Sequence, residues 1–348
     1  MDALPDHILV QCLAWLPPQH QAAARLVCRR FHDLLRHGRA LRYSLCRSRL
    51  EPWLCVLGGV QENKGHLLAE MYHPLEGRWR SLPAAPSSSC HNVPCVAFDG
   101  RLYVVGGFTG RPQMAVYDFE HNVWEEAAAM LEPREAFACG VIEGRIYVAG
   151  GLCRHYSTEN ARLRSAEVYH PEKNSWLRLP PMKEKRSCCA SAVAGDKLYV
   201  IGGYSTPLIL TSVEVFDPRE GSWETCSERQ EPWIIVGCAA IGPFIYVVGS
   251  KFTDMDRLEL QVYDTIRGEW EDKGTIPVSK LLHGARCSLW GSAVVAMAGN
   301  LYIAGGSSSY DGGGLDSVIV YIPARREWIS LPQMRSRRHA CAGAVIYL

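Results

Sequence analysis

The chain has 348 residues, a formal net charge of +1 and 47% hydrophobic residues. A charge so close to zero gives no global field to draw nucleic acid or a membrane surface, and no run approaches the roughly 18 uninterrupted apolar residues of a membrane helix. The N-terminus has no basic segment followed by an apolar run, so a reducing compartment, cytosol or nucleus, is expected.

The charge is uneven along the chain. Residues 1–50 hold eight arginines and three aspartates, with no lysine or glutamate, so a basic head precedes a mildly acidic body, and a separate module with its own partner is expected there. Leu4-Pro5-Asp6 is followed by an apolar stripe, Ile8, Leu9, Cys12, Leu13 and Leu16, at helical spacing. Asp6 can cap that helix, and Pro17-Pro18 ends it. Helical spacing resumes over 22–35 and stops at Gly38. A helical cluster of this size buries little apolar area, so it is expected to pack on something. Two readings fit: a docking module for another protein, or a helical cap on the rest of the chain.

These residues resemble the F-box: Leu-Pro at the start, Ile-Leu and Leu on the first helix, a second Leu-Pro, then Leu-Val-Cys-Arg-Arg-Phe. Phe31 stands where that family usually has Trp. The resemblance implies a three-helix module over 1–40 that docks on a Skp1-like adaptor and, through it, a cullin. Leu4, Pro5, Ile8, Leu9, Leu13, Leu16, Pro17, Val27, Cys28 and Phe31 would supply a helix-in-groove contact.

After a linker over 41–52, the sequence becomes repetitive. An apolar strand ending in Gly-Gly recurs at Leu54–Gly59, Leu102–Gly107, Ile146–Gly151, Leu198–Gly203 and Leu301–Gly306, with Gly249-Ser250 in a sixth copy. Each copy leads to an aromatic residue and then, always seven positions on, to Trp: Tyr72/Trp79, Tyr117/Trp124, Tyr169/Trp176, Phe216/Trp223, Tyr263/Trp270 and Tyr321/Trp328. A constant interval across a turn-rich segment marks two strands in fixed register. The interval from the first Gly to Trp varies from 18 to 26 residues, which marks a surface loop. One further apolar strand precedes each Gly-Gly strand, so each unit holds four short strands, the size of a propeller blade. Ser250 predicts a less tightly packed strand end in its copy. The last residues, 337–346, look like the strand that precedes a Gly-Gly strand, while the first copy has none before it; the economical closure places that strand in the first blade, over a domain spanning 53–348.

These features resemble the kelch repeat. An F-box followed by six kelch repeats is similar in layout to the land-plant F-box/kelch-repeat family. The fold expected is therefore mainly β, a six-bladed propeller behind a small helical module. The function implied is that of a non-catalytic receptor presenting a protein substrate to a Skp1–cullin–F-box ubiquitin ligase, with no cofactor. The rival is an enzyme, since some kelch propellers are copper oxidases or iron-dependent specifier proteins; the Glu-x3-Asp-x3-His pattern of the latter is absent. Fourteen cysteines occur without one C-x-x-C pair. Many sit in Ala/Val/Gly runs, where thiols serve as small core groups.

Substrate contact is expected from the loops between Trp and the next inner strand, which carry His91, Asn92, Arg134, Arg186, Trp233, Arg338 and His339. The arginines have a second reading, as pins that hold the loops to neighbouring blades. Between Trp270 and the Gly305-Gly306 pair lie about nine extra residues, with Leu281, Leu282 and Trp290. Such an insertion in a regular array is either a recognition element or a tolerated surface loop. The variable loops 152–164 and 307–316 are expected on the other side of the Gly-Gly strands.

Overall fold

The structure is a computed structural model. It describes residues 50–58, 68–85, 93–106, 114–153, 161–282, 289–307 and 313–348, with Val27, Cys28 and Arg30. Six antiparallel four-stranded sheets stand around an axis. The second is built from Cys95–Phe98, Arg101–Val105, Met114–Asp118 and Val123–Ala127, and the third from Ala138–Ile142, Arg145–Ala149, Ala166–His170 and Ser175–Leu179. The fourth, fifth and sixth follow the same order and begin at Ala190, Trp233 and Ala293. The first is assembled from both ends of the domain: Ala342–Tyr347 pairs along Pro52–Leu57, which pairs with Ala69–His73 and then Arg78–Ser81. The innermost strands of successive blades pack against each other in a closed ring, the strand 342–347 lying between those of the sixth and second blades.

The middle strands are buried on both faces, which is why they read as nearly continuous apolar runs. In Pro52–Leu57 the alternation of side chains sends Trp53, Cys55 and Leu57 to a core shared with the second blade. Leu54 and Val56 go to a core shared with the sixth. Six such cores follow one another around the ring, each built from two adjacent blades. No blade has a core of its own, so each one depends on its neighbours.

The seven-residue interval is a hairpin register. Every aromatic residue lies directly opposite its Trp on the adjoining strand, with ring centroids 4.9–5.2 Å apart. Pairs of this kind add about 0.5–1.5 kcal/mol beyond their area. The indole nitrogen then reaches back across the seam: Trp79 to Pro332 O, Trp124 to Pro83 O, Trp176 to Ala128 O and Trp223 to Pro180 O at 2.8–2.9 Å, and Trp270 to Ser227 Oγ at 3.0 Å. Trp328 has no such partner among the described residues, and there Ser330 Oγ donates to Leu281 O at 3.0 Å.

The Gly-Gly pairs sit at close backbone approaches. Gly150 has φ +67°, and a Cβ there would lie 2.6 Å from Arg186 O of the next blade; Gly151 has φ +102°, and its Cβ would lie 2.8 Å from Glu135 O. The fifth blade corrects the expectation of a loose strand end. There the strand runs unbroken over Phe244–Lys251, and Ser250 is 1% exposed. Neither Gly249 nor Ser250 has a positive φ, so the second position needs no left-handed residue and serine fits. Glu51 exchanges two backbone hydrogen bonds with Leu348 beside the closing strand.

Because the first blade takes its inner strand from the C-terminus, deleting residues 339–348 removes one wall from two cores. The truncated chain should lose its cooperative melting transition, read by near-ultraviolet circular dichroism.

Candidate functional site: the loop face and its arginine clasps

The loops that follow each Trp strand meet the loops that follow the Gly-Gly strands. Glu135 bridges to Leu152, Ser187 to Tyr204 and Leu315 to Arg338. Both sets therefore form one face of the propeller, which corrects the expectation that loops 152–164 and 307–316 lie apart from the arginine loops. The chain alternates direction at each strand, so both connections must return to the same rim.

Three arginines organise that face. Arg134 Nη1 donates to Gly150 O at 2.8 Å and Ser165 O at 2.9 Å, while Nη2 reaches Glu167 at 2.7 Å. Arg186 repeats the pattern on Gly202 O, Ser212 O and Glu214 at 2.9, 3.2 and 2.6 Å. Arg338 repeats it on Gly58 O, Leu68 O and Glu70 at 3.0, 2.9 and 2.7 Å. Each glutamate also accepts loop backbone N–H groups: Leu131 and Glu132 on Glu167, Lys183 and Glu184 on Glu214, and Arg335 on Glu70. One guanidinium thus fixes the carbonyl of the first glycine, and one carboxylate fixes the incoming loop. These charge-assisted bonds lie in a site without water access, the arginines being at most 2% exposed.

Arg134, Arg186 and Arg338 therefore offer no surface to a substrate; the second sequence reading, pins, is the one the structure displays. Trp233 is buried as well, at 3% exposure. It stands ten residues after Trp223, where Arg134, Arg186 and Arg338 stand ten after their own tryptophans. Arg229 takes the position of Met130, Met182 and Met334, six after Trp. The fifth blade has exchanged its cation and its apolar plug. Arg229 donates to Gln261 Oε1 at 2.5 Å and lies over the rings of Trp233 and Trp270, 3.9 and 4.7 Å from their centroids, a cation–π sandwich. Burial pushes its pKa down to about 9.

Sequence reasoning missed the acids. Glu70, Glu167 and Glu214 all stand two residues before the aromatic of the Tyr/Trp pair. The fifth blade has Gln261 there, and the second and sixth have Ala115 and Ile319. An acid inside an otherwise apolar strand, paired in the third and fourth blades with an arginine sixteen residues before the first glycine, was the available signal.

Of the remaining candidates, Trp290 and His339 are half-buried on the rim. The structure brings their loops together: Cys341 N donates to Gly291 O at 2.8 Å, and a Cβ on Gly291 would lie 2.4 Å from Ala340 N. His91 and Asn92 lie outside the described residues. So do Leu4, Pro5, Ile8, Leu9, Leu13, Leu16, Pro17 and Phe31 of the adaptor-binding set; Val27, at 62%, and Cys28 are exposed. Among the described residues there is no group of three or more His, Cys, Asp or Glu able to hold a metal, and no helix long and apolar enough to cross a membrane.

The cysteines around the axis are thiols held in the protonated form. Burial pushes Cys189 and Cys341 up to about 11 and Cys139 up to about 12, and raises Cys55, Cys95 and Cys238 as well.

Two outcomes are expected. Glu214→Leu leaves a buried guanidinium unpaired and should cost about 3–5 kcal/mol, while the double change Arg186→Met, Glu214→Leu should restore most of it; urea midpoints read both. The thiols carry folded pKa values above their unfolded value of about 8.5, so their contribution is complete below that pH and is lost as pH rises. Arg229 acts in the opposite sense, a single group against six thiols. The melting temperature should therefore fall from pH 8.5 to 10.5, less steeply in Cys238→Ala.

Comparison with known proteins agrees with this architecture. Residues 49–249 match the KLHDC2/KLHL20/DRC7 Kelch-repeats domain, residues 291–335 the Kelch motif and residues 1–40 the F-box domain. The F-box/kelch-repeat protein SKIP30 of Arabidopsis thaliana is 32% identical over 60% of this chain and 62% of its own length. A second Arabidopsis F-box/kelch-repeat protein is 29% identical over 58% of this chain and 54% of its own. Kelch-like protein 35 of Mus musculus is 31% identical over 43% of this chain and 26% of its own. The match thus spans less than two thirds of the length of these relatives. With six kelch blades in one ring behind a segment that matches the F-box, the chain belongs to the F-box/kelch-repeat proteins.

Proposed function

We propose that this chain is the substrate-recognition subunit of a Skp1–cullin–F-box ubiquitin ligase. The F-box residues dock on a Skp1-like adaptor, which joins them to the cullin. The loop face of the propeller holds a target protein, whose ubiquitination and degradation follow. The observation that carries this reading is the joining, in one chain, of an F-box match over residues 1–40 to a kelch ring. The chain performs no chemistry in this reading: it raises the effective concentration of the target beside the conjugating enzyme. Its place of work is the cytosol or the nucleus.

The clasps suit such a role. A recognition surface made of loops must be held rigid if binding is not to cost ordering entropy. Each arginine–glutamate pair fixes the base of a loop and leaves its tip free to vary.

Co-purification tests the ligase role. The full chain should retain a Skp1-like adaptor, and Leu4→Ala with Pro5→Ala should abolish retention while the propeller melts unchanged. In cells, proteins labelled by proximity to the double variant should accumulate relative to the parent. Absence of adaptor from the parent chain would sink the reading.

A further inference from the structure

The chain holds 29 arginines and eight lysines, and residues 1–63 carry eight arginines and no lysine. Arginine keeps the positive charge but stays protonated, so it offers no nucleophile. Amines are therefore few, and each can be placed. Lys173 and Lys197 lie at hairpin turns, on the rim opposite the clasped loops. Lys197 is paired with Asp217 at 2.8 Å, Lys251 with Glu231 at 2.9 Å, and Lys273 with Glu271. Lys280 sits on the helical turn Val278–Leu281, beside the outer strand Glu327–Leu331. Lys185 is engaged by a partner of its own, and Lys64 lies outside the described residues.

Lys183 differs from all of these. It stands on the loop face, seven residues after Trp176, and its backbone N–H donates to Glu214 Oε2 at 2.7 Å, so the clasp of the fourth blade holds its main chain. Its side chain is exposed, and among the described residues no acid pairs with it. The adjacent acid is committed elsewhere: Glu184 Oε2 accepts from Ser212 Oγ at 3.3 Å and lies 3.7 Å from Arg186 Nη2. Leu131 and Arg335 hold the same place in the other two clasps, with their N–H groups on Glu167 and Glu70. All three side chains are exposed, and of the three Lys183 alone carries an amine.

We propose that Lys183 is an acceptor site for ubiquitin on this chain itself, used when the loop face holds no target. The proposal rests on the ligase reading above and adds a regulation to it. A target held on the loop face must bring its lysines within reach of the conjugating enzyme's ubiquitin thioester. Proximity favours any amine placed there, the receptor's own included. In the step, the neutral Nζ of Lys183 attacks the thioester carbonyl. A C–N isopeptide bond forms, the C–S bond breaks, and the proton lost by nitrogen ends on the departing sulfur. An amine in an ion pair must first give up its partner; Lys183 has none to give up. Its pinned main chain also leaves less freedom to lose when the enzyme engages it. A bound target covers the face and supplies rival amines, so the receptor is spared while occupied and marked while empty.

Self-modification in a reconstituted mixture tests this, with the full chain, a Skp1-like adaptor, a cullin, activating and conjugating enzymes, and ubiquitin. Tryptic peptides should carry the diglycine remnant mainly on Lys183. Lys183→Arg should lower the modified fraction about threefold or more, with melting temperature and adaptor retention unchanged, while Lys173→Arg and Lys197→Arg should behave as the parent. A remnant spread evenly over both rims, a Lys183→Arg chain modified like the parent, or an adaptor-bound chain that takes no ubiquitin would overturn the proposal. Acetylation of the chain alone by an N-hydroxysuccinimide ester requires no ligase. Lys183 should react ahead of Lys197, Lys251 and Lys273, and slower labelling than theirs also overturns the proposal. Adaptor retention keeps the two readings apart: adaptor bound with Lys183 unmodified sinks this site alone, whereas no adaptor bound sinks the ligase role, and the site with it, whatever the labelling.

Discussion

A guanidinium without water must find its partners inside the protein, and that requirement organises the loop face. Arg134, Arg186 and Arg338 each lie within reach of a glycine carbonyl, a second carbonyl on the neighbouring strand and a buried glutamate. None of these would be in place without the others. The glycine carbonyl is presented because a left-handed turn ends the strand, and that turn leaves no room for a Cβ. The glutamate tolerates burial because it is opposite a cation and also receives loop amides. Charge, turn and strand end are one unit repeated three times. The loops inherit their positions from it.

The clasps also show where reading from sequence succeeds and where it stops. The Tyr/Trp interval was legible because a hairpin cannot change its register without turning its faces inside out. The closing strand was legible because a four-stranded unit missing one strand and a strand missing its unit fit together. Charge was misread. Arginine in a loop was open to two readings, substrate contact or pin, glutamate in a strand drew none, and their meeting 28 to 268 residues apart is a tertiary fact. Ser250 was misread for a related reason: the glycine pair was taken as a fixed requirement, although the second position needs glycine only where the strand turns left-handed. The N-terminal helical spacing was legible in the residues, and its docking role by resemblance alone.

The blades differ most where the clasp is altered. In the fifth, arginine and the apolar plug trade places, and Gln261 stands where a glutamate would have supplied a countercharge. The Glu259 carboxylate and the aromatic rings of Trp233 and Trp270 share that electrostatic task. Before the sixth, an insertion replaces the indole tie with the Ser330–Leu281 contact. Symmetry in this ring builds the scaffold, and its breaches supply individual features.

The last strand sits in the first sheet, and this has a consequence for how the domain is made. Pro52 and Tyr347 are neighbours in space and nearly the whole propeller apart in sequence. Closing so long a loop costs entropy that grows as the logarithm of its length, and non-local pairing of this kind slows folding. During synthesis the first blade must wait, with three strands and an unpaired inner edge, until the closing strand has been translated. The basic N-terminal module emerges long before that. For most of the time the chain is being built, the segment that matches the F-box precedes a ring that is still open, and the exposed inner edge of Pro52–Leu57 is the place where premature pairing with another chain would begin.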